Sequence, residues 1–239
     1  MKIFKYLISA VYPNKCMGCG DIIDEEKTLC NICEAKIERN CLENLCLNCG
    51  FEKDECVCNF NIYRFDKLIS VFKNDGIAQR AYYRYKFNRL RHYANFFAKE
   101  MSEAVKILYG DVSFDFICSV PSNRGFFNNT HYNHCEYIAS AMSNELGIPY
   151  FKDVLYCRKS SKLQHKSTIK ERLVNVEGKY DYNFRIDGKT VLLVDDIRTT
   201  GATLDECSKM LLYAGADAVY CVTALCTKIK SEKGEISTE

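Results

Sequence analysis

The segment Val191-Leu-Leu-Val-Asp195-Asp196-Ile-Arg198-Thr199-Thr200-Gly201-Ala202-Thr203-Leu204 leaves few folds open to this chain. The apolar run Val191 to Val194 predicts a strand buried on both faces, as in a parallel sheet covered by helices. Leu204, Cys207 and Leu211 recur at helical spacing, and Gly215 closes the pattern, which predicts a helix after Thr203. Two carboxylates delivered by a strand into a short loop that opens a helix form a ligand site at the carboxyl edge of an open α/β sheet. The first N–H groups of a helix lack intrahelical acceptors and attract an anion. Thr199, Thr200 and Thr203 add hydroxyl donors, and Gly201 allows close approach of the backbone. Asp195 and Asp196 would repel that anion, but they suit neutral hydroxyls or a divalent cation. A ribose 5-phosphate presents a phosphate and hydroxyls within one molecule.

The cysteines define a second unit. The chain has 15 in 239 residues, crowded before residue 59. They form Cys16-x-x-Cys19, Cys30-x-x-Cys33, Cys46-x-x-Cys49 and Cys56-x-Cys58, with Gly18, Gly20 and Gly50 at the turns of the first and third pairs. A Cys-x-x-Cys turn points two thiolates at one tetrahedral ion, so the four pairs predict two structural Zn²⁺. Sequential pairing gives Cys16, Cys19, Cys30 and Cys33 at one site and Cys46, Cys49, Cys56 and Cys58 at the other; interleaved pairing is open by spacing alone. A redox or disulfide module is the competing reading. Met1 to Val11 makes a poor signal peptide and no segment is long enough to span a membrane, which favours a cytoplasmic metalloprotein. Full thiolate coordination leaves zinc no open position for a substrate.

These features predict a zinc-ribbon module over 1–60, an α/β domain over 61–230 and a polar tail over 231–239. With a net charge of +2, overall charge makes no case for nucleic acid. Locally, Gly76 to Lys99 lacks acidic residues and interleaves Arg80, Arg84, Lys86, Arg89, Arg91 and Lys99 with aromatics. That pattern fits either a surface for single-stranded nucleic acid or two amphipathic helices with an aromatic core. Strands are expected at Lys67–Lys73, Phe114–Val120 and Ala218–Leu225, and a helix at His131–Leu146. Pro121, Ser122 and Arg124 follow a strand end, where they are placed to meet a pyrophosphate. The basic stretch Arg158 to Arg172 is either a mobile hood or an ordinary solvated loop.

The apolar–Asp-Asp–Thr-Thr-Gly-x-Thr pattern resembles the signature of type I phosphoribosyltransferases. The resemblance implies a Rossmann-like parallel sheet, binding of phosphoribosyl pyrophosphate with Mg²⁺, and phosphoribosyl transfer to a nitrogen nucleophile. With the N-terminal cysteine pairs, Lys86 in Tyr-Lys-Phe, Val120-Pro121, Gln164, Arg172 and Asn175, nearly the whole chain resembles the ComF (ComFC-like) proteins. Those proteins usually carry Arg-Gly-Phe-Asn-Gln where this chain has Thr130-His131-Tyr132-Asn133-His134. Asn133 and an aromatic persist, while the arginine and glycine do not. The ComF resemblance implies a role in natural transformation, with single-stranded DNA and a ComFA-like DNA helicase as partners beside the inner membrane. Two functions are thus expected to compete: an enzyme with Asp195 and Asp196 at the reacting sugar, or a non-catalytic module that senses a nucleotide and holds DNA or the helicase.

Overall fold

The computed structural model describes residues 13–56, 58, 63–88, 91–122, 133–158 and 176–227. Arg124, residues 130–132, the basic stretch beyond Arg158 with Gln164, Arg172 and Asn175, residues 1–12 and the tail 231–239 lie outside the described residues.

After a short helix α1 (Asn31–Lys36) come strand β1 (Lys67–Lys73), helices α2 (Gly76–Asn88) and α3 (Ala94–Leu108), β2 (Phe116–Ser119) and α4 (His134–Leu146). A small hairpin follows, β3 (Leu155–Cys157) and β4 (Tyr180–Tyr182), then β5 (Thr190–Arg198), α5 (Ala202–Tyr213) and β6 (Ala218–Cys226). The main sheet has the order β1-β6-β5-β2, with every pairing parallel. β5 therefore lies inside the sheet, between the strand that follows it and one that comes long before it. In open α/β sheets, ligands bind outside the carboxyl ends of the strands where such connections diverge.

The period of 2 in β5 divides its side chains between two cores. Leu192 and Val194 join Ile69, Val222, Tyr82, Phe97 and Ile138 beneath α2, α3 and α4. Val191 and Leu193 face Leu204, Cys207 and Leu211 of α5, with Leu155 and Tyr180 of the hairpin nearby. The strand expected at Val191 to Val194 runs on to Arg198, so the same alternation carries through the two acids. The β3–β4 hairpin has no counterpart among the predicted elements.

Helix α4 starts at a clear cap. The Asn133 side chain accepts from the Cys135 N–H at 3.0 Å, a contact worth about 1 kcal/mol, and also donates to the Val120 carbonyl at 3.4 Å. Gly147 ends the helix with φ of 69°, which favours glycine.

The cysteine-rich segment packs along the outer edge of β1. The Asn40 N–H donates to the Val71 carbonyl at 2.8 Å, and the Leu68 N–H donates to the Leu47 carbonyl at 2.7 Å. Arg84 of α2 donates to the carbonyls of Met17 and Cys19, both at 3.0 Å. Among the described residues, no helix is long and apolar enough to cross a membrane.

Candidate functional site

Adjacent residues of a strand point to opposite faces, so Asp195 and Asp196 enter different environments from one strand end. Asp196 turns toward α2 and α4. Its Oδ2 accepts from the Tyr82 hydroxyl, lies 3.2 Å from Lys86 Nζ and lies 2.7 Å from His134 Nε2. Tyr82 and Lys86 stand one helical turn apart and are themselves joined, Nζ to hydroxyl, at 2.8 Å. Burial works against the charged form of Asp196, but His134, Lys86 and Tyr82 outweigh it and hold the carboxyl below its usual range. Asp195 accepts from the Asp196 N–H at 2.8 Å and from the Cys135 thiol at 3.5 Å. Burial, followed by the charge of Asp196, pushes its carboxyl well above the usual value. One carboxylate is thus held charged beside one that resists ionisation.

His134, Cys135 and Asp196 come close enough to share a metal ion. The chemistry opposes it: burial and then the two Asp charges push the Cys135 thiol well up, and the Lys86 ammonium already balances Asp196.

The loop after β5 contains Thr199, Thr200 and Gly201, and α5 starts at Ala202. Gly201 has φ of 85° and lies so near Tyr63 that an added Cβ would meet the ring at 3.1 Å. Both facts favour glycine. The Ala202 N–H is held by Thr200 Oγ1 at 3.3 Å. Thr199, Thr200, Ala202 and Thr203 are half-buried at the mouth of the helix. Pro121 and Ser122 lie on the same margin of the sheet, because the Val120 N–H donates to the Val194 carbonyl at 2.9 Å. Arg198, grouped with the loop by sequence, turns its side chain away: it is 2% exposed, with its guanidinium carbon 4.6 Å from the centre of the Phe51 ring.

The eight cysteines fall into the two sequential groups, Cys16/Cys19/Cys30/Cys33 and Cys46/Cys49/Cys56/Cys58. Thiolates about 2.3 Å from a tetrahedral zinc stand about 3.8 Å from each other. Cys19 and Cys30 are 3.8 Å apart, Cys49 and Cys56 are 3.7 Å, and Cys46 lies 3.6 Å from both Cys56 and Cys58. The donor set therefore fits structural zinc at both sites. Burial pushes Cys16 up, but the N–H groups of Cys19, Cys30 and Gly18 outweigh it and bring the thiol to about 6. In the second group the N–H groups of Asn48 and Cys49 overcome burial likewise and bring Cys46 to about 7.

The acid-free stretch is mostly consumed inside the molecule. Tyr82, Tyr85, Tyr93 and Phe97 are buried, Arg80 and Arg84 bind ribbon carbonyls, and Lys86 serves Asp196. Tyr83 and Phe87 alone among its described aromatics are strongly exposed, stacked with ring centres 5.7 Å apart. Sequence alone does not single out His134, Tyr82 and Tyr63 as site residues. The spacing of Tyr82 and Lys86 on one helix face is the available signal; Tyr63 offers none.

Comparison with known proteins agrees with this layout. Residues 7–59 match the double zinc ribbon domain family, and residues 133–237 match the phosphoribosyl transferase domain family. The chain is 28% identical over 235 residues to competence protein ComFC of Streptococcus pneumoniae, covering 86% of this chain and 96% of that one. It is 24% identical over 208 residues to competence protein ComFC of Bacillus subtilis, covering 82% and 83%. It is 22% identical over 206 residues to DNA utilization protein YhgH of Salmonella typhi, covering 83% and 89%. With a double zinc ribbon followed by a phosphoribosyl transferase domain, and with the likeness running over most of its length, the chain is similar to the ComFC competence proteins in both parts and in their order.

Proposed function

We propose that this protein binds phosphoribosyl pyrophosphate, and that it does so in the service of DNA utilization, as the names of its relatives indicate. The observation that carries the reading is the placement of Asp195 and Asp196 at the carboxyl end of β5, directly ahead of the Thr199–Thr203 turn that opens α5. The 5-phosphate would take the N–H groups and hydroxyls of that turn. The ribose hydroxyls would meet the acid pair, where a charged Asp196 accepts hydrogen bonds and a largely neutral Asp195 can also donate one.

Lys86 already balances Asp196, so the pair suits hydroxyls better than a bare cation. Mg²⁺ would belong to the pyrophosphate end, near Pro121 and Ser122, where it would neutralise charge on the leaving group. In a transfer reaction a nitrogen nucleophile forms a bond to the anomeric carbon as the bond to pyrophosphate breaks. The charged Asp196 stabilises the positive charge that develops on the ring.

Calorimetry with phosphoribosyl pyrophosphate and Mg²⁺ tests the binding, and pyrophosphate release across a panel of bases and amines tests the transfer. Loss of binding in Asp195→Asn, Asp196→Asn protein supports the assignment; equal binding refutes it. A second reading, a non-catalytic module that holds single-stranded DNA or a helicase partner, draws on the exposed Tyr83–Phe87 stack, on which bases would lie. Salt-sensitive DNA binding that survives in the double mutant but is lost in Tyr83→Ala, Phe87→Ala favours it.

A further inference from the structure

Arg198 is a buried cation with an unusual set of neighbours. Its Nη1 donates to the Thr199 carbonyl at 2.8 Å. Its Nη2 donates to the Tyr63 hydroxyl at 3.3 Å, and that hydroxyl donates onward to the Thr200 carbonyl at 3.2 Å. The face of the guanidinium rests on Phe51. Among the described residues no carboxylate pairs with it, and its Nε is buried without a partner. The arginine is thus held by an aromatic face, by the Thr199 carbonyl and, through the Tyr63 hydroxyl, by the Thr200 carbonyl of the same loop.

Those carbonyls matter because of what lies across the peptide. In a trans peptide the C=O and the next N–H point in opposite directions. Holding the carbonyls of Thr199 and Thr200 toward Arg198 and Tyr63 turns the N–H groups of Thr200 and Gly201 the other way, to the side on which an anion would enter. The Tyr63 ring also lies beside Gly201, whose φ is 85°. A phosphate on the far side becomes the counter-charge that the guanidinium lacks.

Phe51 itself belongs to the second cysteine tetrad. Its carbonyl accepts from the Cys46 N–H at 2.7 Å, and its side chain clusters with Cys49, Cys46, Cys58 and Cys226. We infer that Phe51, Arg198 and Tyr63 form a clamp through which the second zinc-ribbon site sets the amide directions of the phosphate loop. Arg198 and Tyr63 are positioning residues, and the ribbon is part of the anion site although it contributes no ligand to it. The inference rests on the phosphate site proposed above.

The test uses the full-length zinc-loaded chain and the variants Phe51→Ala, Phe51→Tyr and Tyr63→Phe. The first readout is the backbone amide order parameter of Thr200 and Gly201 by NMR, without ligand. Wild type and Phe51→Tyr should sit near the rigid value of about 0.85, and Phe51→Ala and Tyr63→Phe should fall toward about 0.6, with amides in the body of α5 unchanged. The second readout is affinity for phosphoribosyl pyrophosphate, which should weaken about tenfold in the same two variants and recover in Phe51→Tyr. Unchanged order parameters in Tyr63→Phe, which removes one hydroxyl and leaves the fold intact, would overturn the clamp. Should wild type fail to bind phosphoribosyl pyrophosphate, the proposed ligand is wrong, and the order parameters still decide the clamp.

Discussion

His134 Nε2 lies 2.7 Å from Asp196 Oδ2. The carboxylate oxygen is an acceptor, which assigns the ring proton to Nε2. This contact heads the influences that lower the Asp196 pKa against the cost of burial. The stability that a lowered carboxyl contributes is complete above its unfolded value near 3.9 and is lost as pH falls through the folded one. His134→Ala lessens the lowering, so the loss begins at higher pH. Acid titration followed by circular dichroism should show the unfolding midpoint displaced upward, with stability at pH 7 reduced by about 1–2 kcal/mol.

Asp195 behaves in the opposite sense. Its carboxyl is pushed up, so the folded state holds a proton that the unfolded chain has released. Stability therefore falls as pH rises from the unfolded value toward the folded one. Asp195→Asn removes that loss. Urea unfolding should find the variant more stable than wild type by about 1–2 kcal/mol at pH 7 and less sensitive to pH, while its affinity for phosphoribosyl pyrophosphate drops.

The hydroxyls of the loop carry their own prediction. Thr199→Ala with Thr203→Ala should weaken phosphoribosyl pyrophosphate binding by about 1–3 kcal/mol, since charge-assisted hydrogen bonds to the phosphate are lost. Calorimetry on folded protein measures it, and unchanged affinity would remove the phosphate from this turn.

Metal content separates the two tetrads. Cys30→Ser and Cys56→Ser should each lower zinc from about two ions per chain to about one, and the double variant should hold almost none. Atomic emission on purified protein reads the stoichiometry directly. Loss of both ions from either single variant would show one shared cluster in place of two sites.

Much of this architecture is legible in the sequence, for reasons that differ by region. Val191 to Val194 declares a buried strand because four apolar residues in a row suit a sheet covered on both faces. The cysteine groups are legible because the ligands of each tetrad lie close in sequence, so short turns dictate their geometry. His134 and Tyr82 stay hidden because their value comes from a carboxylate far away along the chain. Arg198 misleads for the same reason: it ends β5 directly ahead of the loop, while its side chain is buried against Phe51. The aromatics of α2 and α3 suit core and surface equally by pattern, and only packing separates buried Tyr82 and Tyr85 from exposed Tyr83 and Phe87.

The lateral hydrogen bonds of Asn40 and Leu47 along β1 have a practical consequence. Lys67–Lys73 reads Lys-Leu-Ile-Ser-Val-Phe-Lys, a short apolar strand whose free margin would be adhesive. A truncated protein beginning after the ribbon would bare that margin and invite copies to zip together side by side. The ribbon thus serves as a selvedge that keeps the fabric from catching on itself, and its excision should yield turbid, polymerising material in place of a tractable minimal domain.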